Sequence, residues 1–290
     1  MVAKLWEDLQ TTNVEAARID NPRMLSITAF LESLNFLYRY RSECEREGAF
    51  DKSPKTLRKH CWHYLKKIQA LKATKIVFPE QFGEDDVWIM TVDGTHSKIN
   101  EPIHAEFSQD KDYFSHKHKN AGLTYELGIH LFESKLIWMK GPTRAGSNDN
   151  GNFSAPGGLK EKLAAIGKKA LADKAYDGHP NEISAFNGVD VAPVKQFKAR
   201  AQMRHEQFNG MLKEFACLYD CFRHREQKFG ICFEATAVIC QYRLENGEPL
   251  FDLLAGISLE EEPDNDSDEE VEEDEVSSDD ESDSNSEEED

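Results

Sequence analysis

The sequence predicts an α/β protein: a mixed sheet of about five strands flanked by helices, with a small helical domain before it and a disordered acidic tail after it. Three observations predict this. Short β-rich runs end on acids at Asp93 and Asp173. Helical periodicity fills much of residues 1–79 and returns at 197–215 and 230–243. Residues 260–290 hold 20 of the 54 acids and none of the 35 bases. The net charge of −19 therefore belongs to the tail, and the rest of the chain is balanced to within one charge. The expected division is 1–79 helical, 80–256 a catalytic α/β domain, and 257–290 tail.

In order along the chain, Ile27–Tyr40 is rich in Leu, Phe and Tyr at helical spacing. A second helix is expected to start at Ser53-Pro54, with Ser as N-cap and Pro in the first turn. Leu57, Cys61, Tyr64, Leu65, Ile68 and Leu71 form its apolar stripe. Residues 52–75 carry eight bases (Lys52, Lys55, Arg58, Lys59, Lys66, Lys67, Lys72, Lys75) and no acid. A merely solvated face usually mixes signs, so this stretch suggests DNA contact, as in a helix-turn-helix module.

Residues 79–86 read as a linker. Val87–His96 reads as a buried strand that ends on Asp93, with Asp93-Gly94 as a turn. A loop over 94–121 follows, carrying His96, His104, His116, Lys117, His118 and Lys119. Lysines beside His116 and His118 disfavour zinc there and favour phosphate contact through Lys117 and Lys119. Residues 123–132 and 135–139 form a hairpin. Asp149 lies in a Gly/Asn-rich loop, 159–166 is a short helix, and 169–172 is a strand that delivers Asp173. Val189–Val194 reads as a third strand of this kind. The helix at 197–215 offers Phe197, Met203, Phe208, Met211, Leu212 and Phe215 for packing. It also presents Glu206, with Arg204, His205 and Lys213 fitting a phosphate-rich surface. Cys217, Cys221, His224 and Cys232 lack a regular zinc spacing and read as core or loop residues.

An apolar content of 39% supports a sizeable core. No apolar run approaches the roughly 18 residues of a membrane span. The N-terminus lacks a signal-peptide apolar region, and six irregularly spaced cysteines suggest reduced thiols in an intracellular protein. The tail cannot bury enough apolar surface to fold; Ser267, Ser278 and Ser286 precede acid runs that suit an acidophilic kinase. It reads either as a solubilising extension or as an intramolecular competitor for the basic N-terminal stretch.

Three acids in the order strand, strand, helix suit two divalent ions that need oxygen ligands and open positions. The motifs V-D-G-T-H (92–96), A-D-K-A-Y-D-G (172–178) and R-H-E-Q-F-N-G-M-L-K (204–213) resemble the acid motifs of DDE transposases. The likeness is to the PIF/Harbinger-type endonuclease domain and covers residues 75–255 or so. T-L-R-K-H-C-W-H-Y-L-K-K-I-Q-A-L-K (56–72) resembles the helical segment that precedes that domain. The resemblance implies an RNase H-like fold and DNA strand cleavage and transfer by a nuclear, transposable-element-type enzyme. It implies Asp93, Asp173 and Glu206 as catalytic and metal-binding acids holding two Mg²⁺ (or Mn²⁺) ions. Asp177 rivals Asp173, and Asp149 resembles an acid of that family's loop with no assigned role. DNA-contacting candidates are Lys55, Arg58, Lys59, Lys66, Lys67, Lys117, Lys119 and Lys213. Partners to expect are DNA (transposon ends or target), a separate DNA-binding helper protein and a second copy of the chain, but no membrane. The alternatives are a related metal nuclease without transposition, or a domesticated, non-catalytic DNA-binding regulator that retains the fold.

Overall fold

The computed structural model describes residues 1–101, 111–147, 149–186 and 190–255. The readings for His104, Val189 and the tail, including Ser267, Ser278 and Ser286, lie outside the described residues. The described residues fall in one compact unit.

Five helices open the chain: α1 (Val2–Thr11), α2 (Ile27–Arg39), α3 (Glu43–Phe50), α4 (Pro54–Ala70) and α5 (Lys72–Lys75). Ser53 caps α4 by accepting from Thr56 N–H, and all six residues of the expected apolar stripe are buried. Ser42 and Glu45 form a reciprocal capping box on α3. The Tyr64 hydroxyl reaches back to the carbonyls of Met24 and Ser26, which ties α4 to the start of α2.

The sheet is built from β1 (Trp88–Lys98), β2 (Phe114–Ser115), β3 (Asn120–His130), β4 (Leu136–Arg144), β5 (Lys169–Ala172) and β6 (Ile183–Ala185). Its order is β2-β3-β1-β5-β6, with β4 also on β3. β3 is antiparallel to β1 and β4, whereas β5 is parallel to both β1 and β6. The remaining helices are α6 (Asp149–Ser154), α7 (Leu159–Ile166), α8 (Ala192–Lys213), α9 (Ala216–Tyr219) and α10 (Glu226–Glu245).

Both faces of the sheet are covered. Met90, Val92, Ala170 and Ala172 meet Phe153 of α6 and Leu159 and Leu163 of α7. On β3, Leu123, Tyr125, Leu127 and Ile129 join a cluster with α10 and the N-terminal helices. The Tyr125 and Phe233 rings stack at 3.9 Å. α10 is buried on nearly every side, as expected of a helix without a polar face. Leu5, Phe30, Tyr64 and Phe233 share that one cluster, so the change at residue 79/80 is from helices to sheet, with no break in the packing.

Three sequence expectations are corrected. Asp93 does not end its strand: β1 continues to Lys98, because residues 94–98 stay in antiparallel register with 122–126. The third parallel strand is Ile183–Ala185, held by register against 170–172; Ala192 already begins α8. On α8, Phe208, Met211 and Leu212 are buried, as is Phe215 just beyond its end, but Met203 is 59% exposed. Lys198, Arg204 and His205 take the inward positions instead.

Phe233→Ala should destabilise the protein by about 3–5 kcal/mol, because it removes the ring stacked on Tyr125 and leaves a cavity in the shared cluster. Denaturant unfolding should show one transition, with the N-terminal helices lost together with the sheet.

A carboxylate cluster across β1 and β5

Register decides which acids meet. Thr91 lies opposite Leu171 in the parallel β1–β5 pair, and Asp93 and Asp173 each follow two residues later. The chain therefore brings together acids that are 80 positions apart. Asp173 caps the short 3-10 turn Lys174–Tyr176, its Oδ1 accepting from Ala175 N–H at 2.8 Å. Asp93 Oδ1 accepts from Gly94 N–H at 2.8 Å.

Asp149, at the start of α6, joins them. A Cβ on Gly94 would sit 2.7 Å from Asp149 Oδ1, so glycine lets that carboxylate lie over β1 without having to shift. The Asp-Gly pair that reads as a turn in sequence thus serves a close approach within a strand. Asn150 anchors α6 to the segment after β5, donating to the Asp177 carbonyl (2.8 Å) and lying 2.6 Å from His179 Nε2. Asp177 itself is exposed and is not among the groups that shift Asp93, whereas Asp173 and Asp149 add to the burial that raises its pKa.

The cluster is electrostatically uneasy. Burial first, then Asp173 and Asp149, push the Asp93 carboxyl up to about 6; Lys117 opposes the shift. Burial and Asp173 raise Asp149, again against Lys117. Glu126, which pairs with Gly94 across the β1–β3 ladder, is 2% exposed. Burial pushes it up to about 7, although Trp138 Nε1 donates to its Oε1 at 2.7 Å. Its Oε2 and the buried Tyr176 hydroxyl have no hydrogen-bond partner. Sequence reasoning left Asp149 without a role and missed Glu126 and Tyr176. Glu126 sits mid-strand in an apolar run, and only its polarity in that setting signals it.

Glu206 stands apart. α8 is clamped along β1 by Thr91 Oγ1 with His205 Nδ1 (2.7 Å) and by Thr95 Oγ1 with Asn209 Oδ1 (2.6 Å). Asp93 lies between the two threonines and Glu206 between the two α8 partners, which puts them at the same level. Glu206 is nevertheless exposed, with a 3.5 Å hydrogen bond from Gln202. Among the described residues, no three or more His, Cys, Asp or Glu side chains form a ready metal-holding group. The donor set is all oxygen, which suits a hard divalent cation, and Mg²⁺ commonly binds through one or two carboxylates and keeps water. Asp93 and Asp173 meet that requirement.

The basic candidates divide. Lys117 and Lys119 are exposed, and Lys117 lies near Asp93 and Asp149. Lys55, Lys59 and Lys66 are exposed and Lys67 is half-buried. The other bases of the stretch are paired: Lys52 with Glu32, Arg58 with Glu43, Lys72 with Glu234 and Lys75 with Glu245. Lys213 turns inward, donating to the carbonyls of His96 and Leu218 and to Ser97 Oγ, which leaves none of its donors for phosphate. Arg204 donates to the Phe251 carbonyl and His205 is buried against Thr91, so neither faces a phosphate surface.

No helix among the described residues is long and apolar enough to cross a membrane. Comparisons with protein-family models, curated proteins and solved structures return no match.

Glu126 supplies a pH test. Its folded pKa is raised, so its contribution is full below the ordinary carboxylate range and is lost as pH rises through about 7. Glu126→Gln should therefore gain stability over wild type between pH 5 and 8 or so, by up to about 3 kcal/mol. Thermal midpoints of both proteins over a pH series measure it.

Proposed function

We propose that the protein is a divalent-metal-dependent DNA endonuclease of the DDE transposase kind, built on an RNase H-like sheet. The observation that carries this reading is the side-by-side placement of Asp93 and Asp173 on the neighbouring parallel strands β1 and β5. The strand order, with an antiparallel β1-β3-β4 unit extended by parallel β5 and β6, supports the RNase H-like assignment. The three acid motifs of the sequence support the same reading.

Asp93 and Asp173 would hold Mg²⁺ or Mn²⁺, with Asp149 beside them and Glu206 joining from α8. Such an ion, when bound, activates a water or 3′-hydroxyl and stabilises the leaving oxygen. Lys117 brings positive charge to the acids where a scissile phosphate would lie. Gly94 and Asn150 position Asp149. The exposed bases of α4 would hold DNA at a distance from the acids, in the nucleus. The exposed position of Glu206 favours one second reading, a DNA-binding regulator that retains the fold without cleaving.

Asp93→Asn and Asp173→Asn should each lower DNA nicking in Mn²⁺ at least about a hundredfold and leave DNA binding within a factor of about two. Calorimetric Mn²⁺ affinity should fall about tenfold in Asp93→Asn, the loss of one carboxylate ligand. Nicking that survives both substitutions rules out this site; DNA binding with no nicking by the wild type selects the regulator. Glu206→Gln and Asp149→Asn, assayed side by side, identify which acid completes the set.

A further inference from the structure

A second concave site lies where α2, α3, α4 and the segment before α10 meet. It is a cavity of about 220 Å³ lined by Arg41, Arg46, Arg58 and Arg223, with Trp62 and His224. At roughly 30 Å³ per water, it has room for a phosphate group with its waters.

Its charge is only partly offset from within, by two acids against four arginines: Glu43, which also lines it, and Glu45. Glu43 pairs with Arg58 at 2.8 Å. Glu45 is engaged by Ser42 in the capping box of α3, and after those hydrogen bonds Arg41 and Arg223 also help to hold its carboxyl below the ordinary value. Arg223 spends its hydrogen bond on the Tyr40 carbonyl and stacks on the Tyr40 ring. Arg41 is exposed. Among the described residues, no ion pair joins Arg41, Arg46 or Arg223 to an acid. Arg46 is 4% exposed, lies over the Phe36 ring at 4.8 Å and against the Cys61 thiol, and its Nε has no acceptor. A buried guanidinium without a counter-charge is costly. Like-charged neighbours around a cavity raise that cost further. Both costs fall when an anion with several acceptor oxygens enters, and guanidinium forks match phosphate geometry.

The surroundings indicate which phosphate. Lys228, at the start of α10, sits 3.9 Å over the Trp62 ring at the cavity wall. Lys59, next to Arg58, and Lys66, one turn beyond Trp62, are exposed on the same helix, and Lys66 adds to the burial that lowers the Lys228 pKa, so Lys66 and Lys228 stand close together. Further cations continuing along α4 and α10 from one pocket suit a phosphate that belongs to a chain of phosphates. We infer that Arg41, Arg46, Arg58 and Arg223 form a phosphate-binding pocket that anchors a nucleic-acid strand away from the carboxylate cluster. That the strand is DNA rests on the endonuclease reading; the phosphate chemistry does not. A strand's interior phosphodiester and its terminal phosphate share this chemistry.

The test measures fluorescence anisotropy of a labelled single-stranded oligonucleotide on the full-length protein over a salt series. Arg41→Gln, at an exposed unpaired position, and Arg58→Gln should each weaken binding about tenfold at low salt and lower the salt slope by about one. Thermal midpoints check that both variants fold. Stronger binding of the 5′-phosphorylated oligonucleotide assigns the pocket to a strand end, and equal binding assigns it to the interior. Unchanged affinity and slope in both folded variants overturn the inference. It is also overturned if the wild type binds no oligonucleotide but binds a phosphoserine peptide of residues 263–290, which assigns the pocket to the tail. Nicking by wild type with binding untouched in both variants sinks the pocket alone. Weakened binding in the variants with no nicking by wild type sinks the endonuclease reading alone.

Discussion

Parallel pairing between β1 and β5 holds Asp93 and Asp173 beside each other, and the charge of Asp173 adds to the burial that raises the Asp93 pKa. In sequence they are 80 positions apart, with a hairpin and two short helices between. The crossover from β4 through α6 and α7 brings β5 in parallel to β1. The same crossover lays Asp149 over Gly94, so a third acid arrives with the helix that covers the sheet. Desolvation is the largest cause of the raised Asp93 pKa, and the neighbouring acids add to it. Folding thus collects a cost at one point, which a cation or proton would relieve.

The α8 face of β1, which Thr91, Asp93 and Thr95 share by strand alternation, is organised by polar contacts. α8 packs on β1 through His205 and Asn209, each bonded to a threonine that flanks Asp93. Buried hydrogen bonds of this kind fix register more tightly than apolar contact alone, because a one-residue slip would strand each partner. Lys213 fastens the other end by donating to the backbone of β1 and α9. The inward positions of α8 are therefore occupied by groups that, on a simple amphipathic reading, belong outside.

The N-terminal helices support the sheet and also carry charge. Glu234 of α10 accepts from Gln69 and Tyr125 and pairs with Lys72, joining three elements at one carboxylate. Asp8 accepts from the Tyr242 hydroxyl, while Lys75 lies over that ring at 4.2 Å. These links consume part of the basic stretch and leave Lys55, Lys59 and Lys66 turned to solvent on α4. Paired and solvent-facing cations thus come from one acid-free run of sequence.

The sequence by itself determined the locally encoded features. The Ser53 cap, the α4 stripe, the helix at 159–166 and the strand at 169–172 follow from capping chemistry and periodicity, which act over a few residues. Asp93 and Asp173 were legible as acids after short apolar runs. Tertiary structure decided the rest. Asp-Gly at 93–94 obeys turn rules locally, but ladder bonds to β3 keep it extended. β6 formed at 183–185 because those residues fall into register beside β5. Lys213 and Arg204 turned inward, and Asp149 and Glu126 joined the acids, because what a charged side chain meets is set by long-range packing. Sequence spacing carries the period of an element, whereas a carboxylate's neighbours across a sheet exist only once the strands have paired.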